Sequence, residues 1–240
     1  FFGGFMSVFA IADLHLSFSA DKPMNIFGGW NDYTDRLKAA WRKLVKDDDF
    51  VVLPGDISWA MDLPQAKADF AFVNELPGTK FIMKGNHDYW WNTVKKMNGF
   101  LTENGFSTIK FIHNSAEPAE NIAICGTRGW FYDLNDSADK KVLNREVGRL
   151  RMSIEAAKKT GLEPVVFLHY PPLYGEYRCD EIMDALIEYG IKRCYYGHLH
   201  AQSHRKAITG LQEGIEFRLI SADYLKFVPE LVRGGGSGCK

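Results

Sequence analysis

Six short runs rich in β-branched and aromatic residues, each stopping at Gly, Asp or His, set the tightest limit on what this 240-residue chain can fold into. They are "SVFAIAD", "DFVVLPGD", "TKFIMKGN", "NIAICGTRG", "PVVFLHY" and "KRCYYGH". Their near-continuous apolar character is that of strands covered on both faces, since a strand with one wet face alternates instead. Helical patterns lie between them. Across Tyr33 to Lys46, Leu37, Ala40, Trp41, Leu44 and Val45 form one apolar stripe while Asp35, Lys38, Arg42 and Lys46 face outward. Similar patterns cover roughly 62–76, 88–103, 137–160 and 179–190, the longest ending at Gly161.

Strand alternating with helix throughout implies an α/β layered fold, a single domain over 1–233, with "GGGSGCK" at 234–240 as a flexible tail. "STIKFIHNSAEPAENIAIC" reads as two strands joined by a turn around Glu117 and Pro118, and "GIEFRLISADY" as a last strand, so the sheet need not be purely parallel. The opening "FFGGFMSVFAIA" lacks a basic n-region and is interrupted by Asp13 well before bilayer-spanning length. It is expected to be a first strand, with Met6 a candidate start behind an "FFGGF" leader. A net charge of -1 gives no electrostatic footprint for nucleic acid or a membrane surface. Four scattered cysteines without a Cys-x-x-Cys pair argue against disulfides and thiolate zinc, so a reducing cytoplasm is the expected location.

Polar residues recur where the strands stop, the edge at which open α/β sheets bind ligands. In order they are Asp13 and His15, Asp56, then Asn86, His87 and Asp88 of "GNHD", His169, and finally His198 and His200. Five of the seven histidines belong to this set. Leaving out His87 and Asp88, the other seven are a coherent ligand set for two cations. Mixed carboxylate and imidazole suits manganese, iron or zinc. Asp-x-His and His-x-His at strand ends are expected to place alternate residues on one side of a pleated backbone. Asp56, after Gly55, is the candidate to bridge both metals.

The series "DLH", "GD", "GNHD", an isolated His and "GHLH" resembles the calcineurin-like metallophosphoesterase family over nearly the whole chain. "PGDISWAM", "KGNHDYWW" and "GTRGW" further resemble a bacterial branch of predicted phosphohydrolases. The resemblance implies a four-layer αββα sandwich of two mixed sheets. It also implies one metal on Asp13, His15, Asp56 and His200, and the other on Asp56, Asn86, His169 and His198. The implied reaction is phosphate-ester hydrolysis, with a hydroxide between two divalent metals attacking phosphorus in line. His87 would serve the leaving group, and Asp88 would accept the other proton of its ring.

The substrate class implied is a small-molecule or nucleotide phosphate ester. "GDISWAM" and "GNHD" differ from protein Ser/Thr phosphatases, which have an acidic residue and Arg after the second motif and Glu ending the third. This lowers the prospect of a phosphoprotein substrate and leaves the outer-shell carboxylate unassigned. The alternatives are a catalytically degenerate scaffold binding a protein partner and, among enzymes, a phosphodiesterase or nuclease rather than a monoesterase. The neutral charge argues against the nuclease.

Outside the motifs, Arg128 is either a bidentate phosphate clamp or a surface ion pair. Phe27, Trp30, Trp59, Tyr89, Trp90, Trp91, Trp130, Phe131 and Tyr132 either wall a pocket for a flat group or pack as core. His113 and His204 are expected to be solvated or structural, and "DDD" at 47–49 a solvated helix terminus.

Overall fold

In a computed structural model the apolar runs pair into two sheets; residues 6–130 and 137–233 are described. The leader, the tail, Phe131 and Tyr132 lie outside them. The first sheet begins with parallel strands β1 (Val8–Ala10), β2 (Phe50–Pro54), β3 (Thr79–Met83) and β4 (Ile109–Phe111). The chain then crosses to a second sheet through β5 (Glu117–Ala119), β6 (Ile122–Thr127) and β7 (Glu163–Leu168). A short hairpin, β8 (Leu173–Tyr174) and β9 (Tyr177–Arg178), precedes β10 (Arg193–Tyr196), β11 (Gly210–Gln212) and β12 (Ile215–Leu219). Finally β13 (Glu230–Arg233) returns antiparallel to β1. The orders are β13-β1-β2-β3-β4 and β11-β12-β10-β7-β6-β5. Antiparallel edges on parallel centres make both sheets mixed.

Three apolar clusters explain the layering. Helices α1 (Tyr33–Leu44), α2 (Lys67–Glu75) and α3 (Val94–Asn104) cover the first sheet, burying Leu37, Trp41, Phe70, Val73 and Met97 against Ile11, Val51 and Leu53. Helices α4 (Ser137–Lys158) and α5 (Asp180–Glu188) cover the second, with Leu150, Ile154, Met183 and Leu186 on Val166, Leu168 and Phe217. Between the sheets, Val8, Val52 and Phe81 meet Ile124, Val165 and Phe167. Strand residues therefore feed a core on each face, which is why the runs are apolar throughout. The result is the expected αββα sandwich. No helix among the described residues is long and apolar enough to cross a membrane.

Several finer expectations change. The turn expected at Glu117 and Pro118 is strand β5, and the reversal falls at Glu120, whose φ is 54°. The helix expected from 88 starts at Val94, because Thr93 caps it and the carboxylate of Asp88 is committed to backbone N–H groups. Asp49 is not a solvated terminus. It is buried and accepts the N–H groups of Ser7 and Lys46 at 2.7 and 2.8 Å. The edge strands β11 and β13 are too short and too polar to announce themselves.

Phe167 is fully buried between the sheets, its ring stacked 5.1 Å from Tyr195. Phe167→Ala is expected to cost about 3–5 kcal/mol in denaturant unfolding, since neither rigid sheet can collapse into the gap.

Candidate metal centre

The two sheets present their carboxyl ends to the same space. The loops after β1 and β2 continue the ladder past the strands, with Asp13 N–H donating to Gly55 O at 3.0 Å and His15 N–H to Asp56 O at 2.9 Å. Contacts from the second sheet close the gap. His198 N–H donates to Asp13 Oδ2 at 2.8 Å, and His169 Nδ1 lies 3.2 Å from Pro54 O. Ala12 bridges Ser221, joining the end of β1 to the segment after β12.

Sequence reasoning expected a pleated backbone to align the ligands, and the structure overturns that reason while keeping the result. Asp13, His15, Asp56 and His198 have φ of 61°, 46°, 52° and 71°. Such left-handed backbone in residues with a Cβ costs about 1–3 kcal/mol each and persists where the surroundings over-determine it. It turns these side chains inward at successive corners, which a flat strand cannot do. The turn also requires close backbone approach. A Cβ at Gly85 would lie 2.1 Å from Asp56 Oδ1, and one at Gly55, where φ is 99°, would meet Gly85 N at 2.6 Å.

Two donor groups result. One ligand atom from each of Asp13, His15 and His200 lies within 4.8 Å of the other two, and the same holds for Asp56, His169 and His198. Asp56 Oδ2 stands 3.5 Å from His169 Nε2 of its own group and 3.8 Å from His15 Nε2 of the other. Asn86 Oδ1 is 2.6 Å from His169 Nε2. All seven expected ligands therefore come together.

The chemistry of this cluster fits divalent cations. Burial pushes Asp13 up to about 7 against the pull of His200, and Asp56 up to about 6 against that of His87. Burial also holds His15 and His169 well below the usual imidazole value, and His198 down to about 3, so these rings are neutral donors. Asp13 Oδ1 and His15 Nδ1 are buried without a hydrogen-bond partner. A buried carboxylate with one oxygen unbonded, beside neutral imidazoles, forms a poor network without a cation and a good ligand set with one.

Three carboxylates behave differently from expectation or escaped it. Asp88 does not serve His87. Its oxygens accept N–H groups from Asp56 (2.8 Å), Ile57 (2.9 Å), Gly85 (2.7 Å) and the Trp90 indole (3.1 Å), so it ties the Asp56 loop to the Asn86 loop. His87 Nδ1 instead lies 3.1 Å from Tyr89 Oη. Asp223 orients His200, with Oδ1 2.9 Å from Nδ1. Burial works to lower His200, but this bond and the charges of Asp13, Asp223 and Asp56 outweigh it and hold the ring up to about 9. Asp223 also lies 3.3 Å from His204 Nε2, which gives that histidine a place behind the site. Its signal was available: "ISAD" ends a strand on an acid, as the other motifs do. Asp69, buried on α2, accepts from Ser58 Oγ and from Phe18 N–H at 2.9 Å, and so supplies a carboxylate behind the "GDIS" loop.

Arg128 pairs with buried Glu146 at 3.7 Å and lies over Trp130 at 5.1 Å, with its Nε buried and unbonded. The aromatics divide. Trp90 is core against Phe70, and Trp91 packs on Phe111 and His113. Trp59 stacks 5.0 Å from the His15 ring and lies 4.3 Å from that of His87, while Trp30 contacts His15 and His200 at 5.9 and 6.0 Å.

Two sheets sandwiched by helices, with two Asp/His groups at their carboxyl ends, define a metallophosphoesterase architecture. Residues 6–202 match the calcineurin-like phosphoesterase family, and the chain belongs to it. The family typically binds two divalent metals. Among solved structures, phosphopantetheinyl hydrolase (PptH) from Mycobacterium tuberculosis is similar at 13% identity, covering 99% of each chain with a TM-score of 0.56. The TT1561 protein of Thermus thermophilus is similar at 10% identity, covering 95% of this chain and 99% of its own, with a TM-score of 0.55. These likenesses concern the fold. No curated protein matches the sequence.

Cation uptake is expected to be proton-coupled. Asp13 near 7 and His200 near 9 must lose their protons to ligate, so apparent affinity rises with pH up to about 9, with proton release. Calorimetry in buffers of different ionisation enthalpy measures this. Asp223→Asn removes the support of His200 and is expected to weaken manganese binding about 10- to 100-fold by titration, with the fold intact by circular dichroism.

Proposed function

We propose that this protein is a hydrolase of a small-molecule or nucleotide phosphate ester, working with two divalent transition metals, manganese, iron or zinc. Asp13, His15, Asp56 and His200 would hold one, and Asp56, Asn86, His169 and His198 the other. The observation that carries the reading is the pair of donor groups at the sheet ends, with Asp56 of one group 3.8 Å from His15 of the other. When bound, the two cations neutralise charge on the phosphoryl oxygens and lower the pKa of the attacking water. The chain's own residues do the rest. Asp56 stands within reach of both groups. Asp88 fixes its backbone and that of Gly85. Half-buried His87 is the group for protonating the departing oxygen. Its backbone N–H is anchored on Asp56 Oδ1 at 2.8 Å, and Tyr89 Oη, 3.1 Å from Nδ1, orients its ring.

Burial lowers His87 below the ordinary imidazole value, with Asp56 opposing. A general acid with a lowered pKa loses its proton earlier as pH rises, so it serves esters of basic alcohols best on the acidic side. Arg128 is proposed as a phosphate clamp that leaves Glu146 on substrate binding. The buried thiols of Cys125, Cys179 and Cys194 accord with a reducing cytoplasm. A scaffold that merely binds a partner has no need for donors strained into one space.

The protein is expected to take up about two manganese ions per chain, measured by metal analysis. His87→Ala is expected to retain both ions yet lose about 100-fold or more in kcat on alkyl esters, while nitrophenyl esters, which leave without a proton, lose far less. Equal losses on the two ester types would remove the proposed acid. No metal uptake at all would remove the reading itself.

A further inference from the structure

A chamber of about 250 Å³ opens beside the first donor group, walled by Met24, Phe27, Gly28, Trp30 and Trp59 and closed by the rings of His15, His87 and His200. No residue of the Asp56, His169 and His198 group lines it. It thus lies to one side of the two donor groups, the side of His87. Its polar side chains are those three imidazoles and Asp223, whose two oxygens are already engaged by His200 and by Ala201 N–H at 3.1 Å. Recognition here must rest on ring faces and apolar contact rather than on hydrogen-bond readout of an edge.

The walls are held differently. Trp30 is buried, edge-on to Tyr33 and Phe227 at 5.1 and 4.9 Å, so its face toward the chamber is fixed. Trp59 is placed by stacking on His15 and by its indole N–H, 3.4 Å from Met24 Sδ. Phe27, at the other wall, is 54% exposed, a large apolar ring with little of the fold covering it. A pocket this small takes one or two fused rings, not an extended ligand.

We propose that the departing alcohol of the substrate carries a flat apolar ring, lodged in this chamber with its oxygen toward His87. The proposal rests on the hydrolase reading and adds the substrate class. It makes Phe27, Trp30 and Trp59 specificity-determining, with tolerance for which ring is bound, because every such ring offers a face.

Two ligand pairs test it on the manganese-loaded protein. Benzylphosphonate is expected to bind about tenfold or more tightly than methylphosphonate by calorimetry. Benzyl phosphate, whose alcohol is about as basic as methanol, is expected to exceed methyl phosphate in kcat/KM by a similar factor. Each ester is assayed as monoester and symmetric diester, and the better-cleaved form is compared. Gly28 offers a bulkier variant at the chamber wall, since it lines the chamber and a Cβ there meets nothing within 4 Å. Gly28→Leu and Phe27→Ala should each reduce the benzyl-to-methyl ratio at least fivefold, in binding and in turnover. Equal binding and turnover of the two groups in the wild-type protein, or an unchanged ratio in both variants, overturns the chamber while leaving the hydrolase. Absence of turnover for every ester overturns the hydrolase reading and the chamber with it.

Discussion

Asp13 and Asp56 are buried at the seam where the two sheets meet, and the rest of the site is organised around that burial. A carboxylate removed from water must be neutralised, hydrogen-bonded or set beside a cation. Each of these two has one oxygen tied to a backbone N–H, from His198 and from His87 respectively. The other oxygen of each faces imidazoles. Left-handed corners, glycines at van der Waals limits and the clustering of neutral histidines all serve that arrangement. A site built this way gathers buried donor atoms that hydrogen bonds do not satisfy, which is why they look badly placed for a protein core.

The candidate donors were legible because metal binding needs rare residue types at strand ends, and strand ends are marked by the loss of apolar character. The layered architecture was legible for the same reason, since strands covered on both faces leave little room for polar residues. What escaped was anything set by tertiary approach. Asp88 sits one residue from His87, and adjacency suggested a hydrogen bond. The chain instead turns it into the loop, where five N–H groups compete for its oxygens. Asp69 acts on Ser58 across 11 residues of chain, and no local pattern encodes such a pair. The alignment of Asp13 with His15 was inferred correctly for a wrong reason, since the backbone there is kinked and not pleated.

The aromatic residues show a different limit. Apolarity is the same physical signal whether a ring fills a core or walls a chamber, so neighbours in sequence part company in space. Trp90 goes under α2, Trp91 goes to the loop of His113, and Trp59 goes to the histidines. Exposure separates them only once the fold is known: Trp90 is sealed, while Phe27 at the chamber mouth is not.

Each donor group draws on both sheets, Asp13 and His15 with His200 in one, Asp56 with His169 and His198 in the other. A slip of a single residue in the register of either sheet would shift the loops that follow its strands by about 3.3 Å and draw the partners of each group apart. The centre therefore acts as an assembly gauge: only a chain whose halves have docked in the right alignment can be charged with ions. Loading then distinguishes finished molecules from compact but misaligned ones, and the same clasp that enables chemistry certifies the fold.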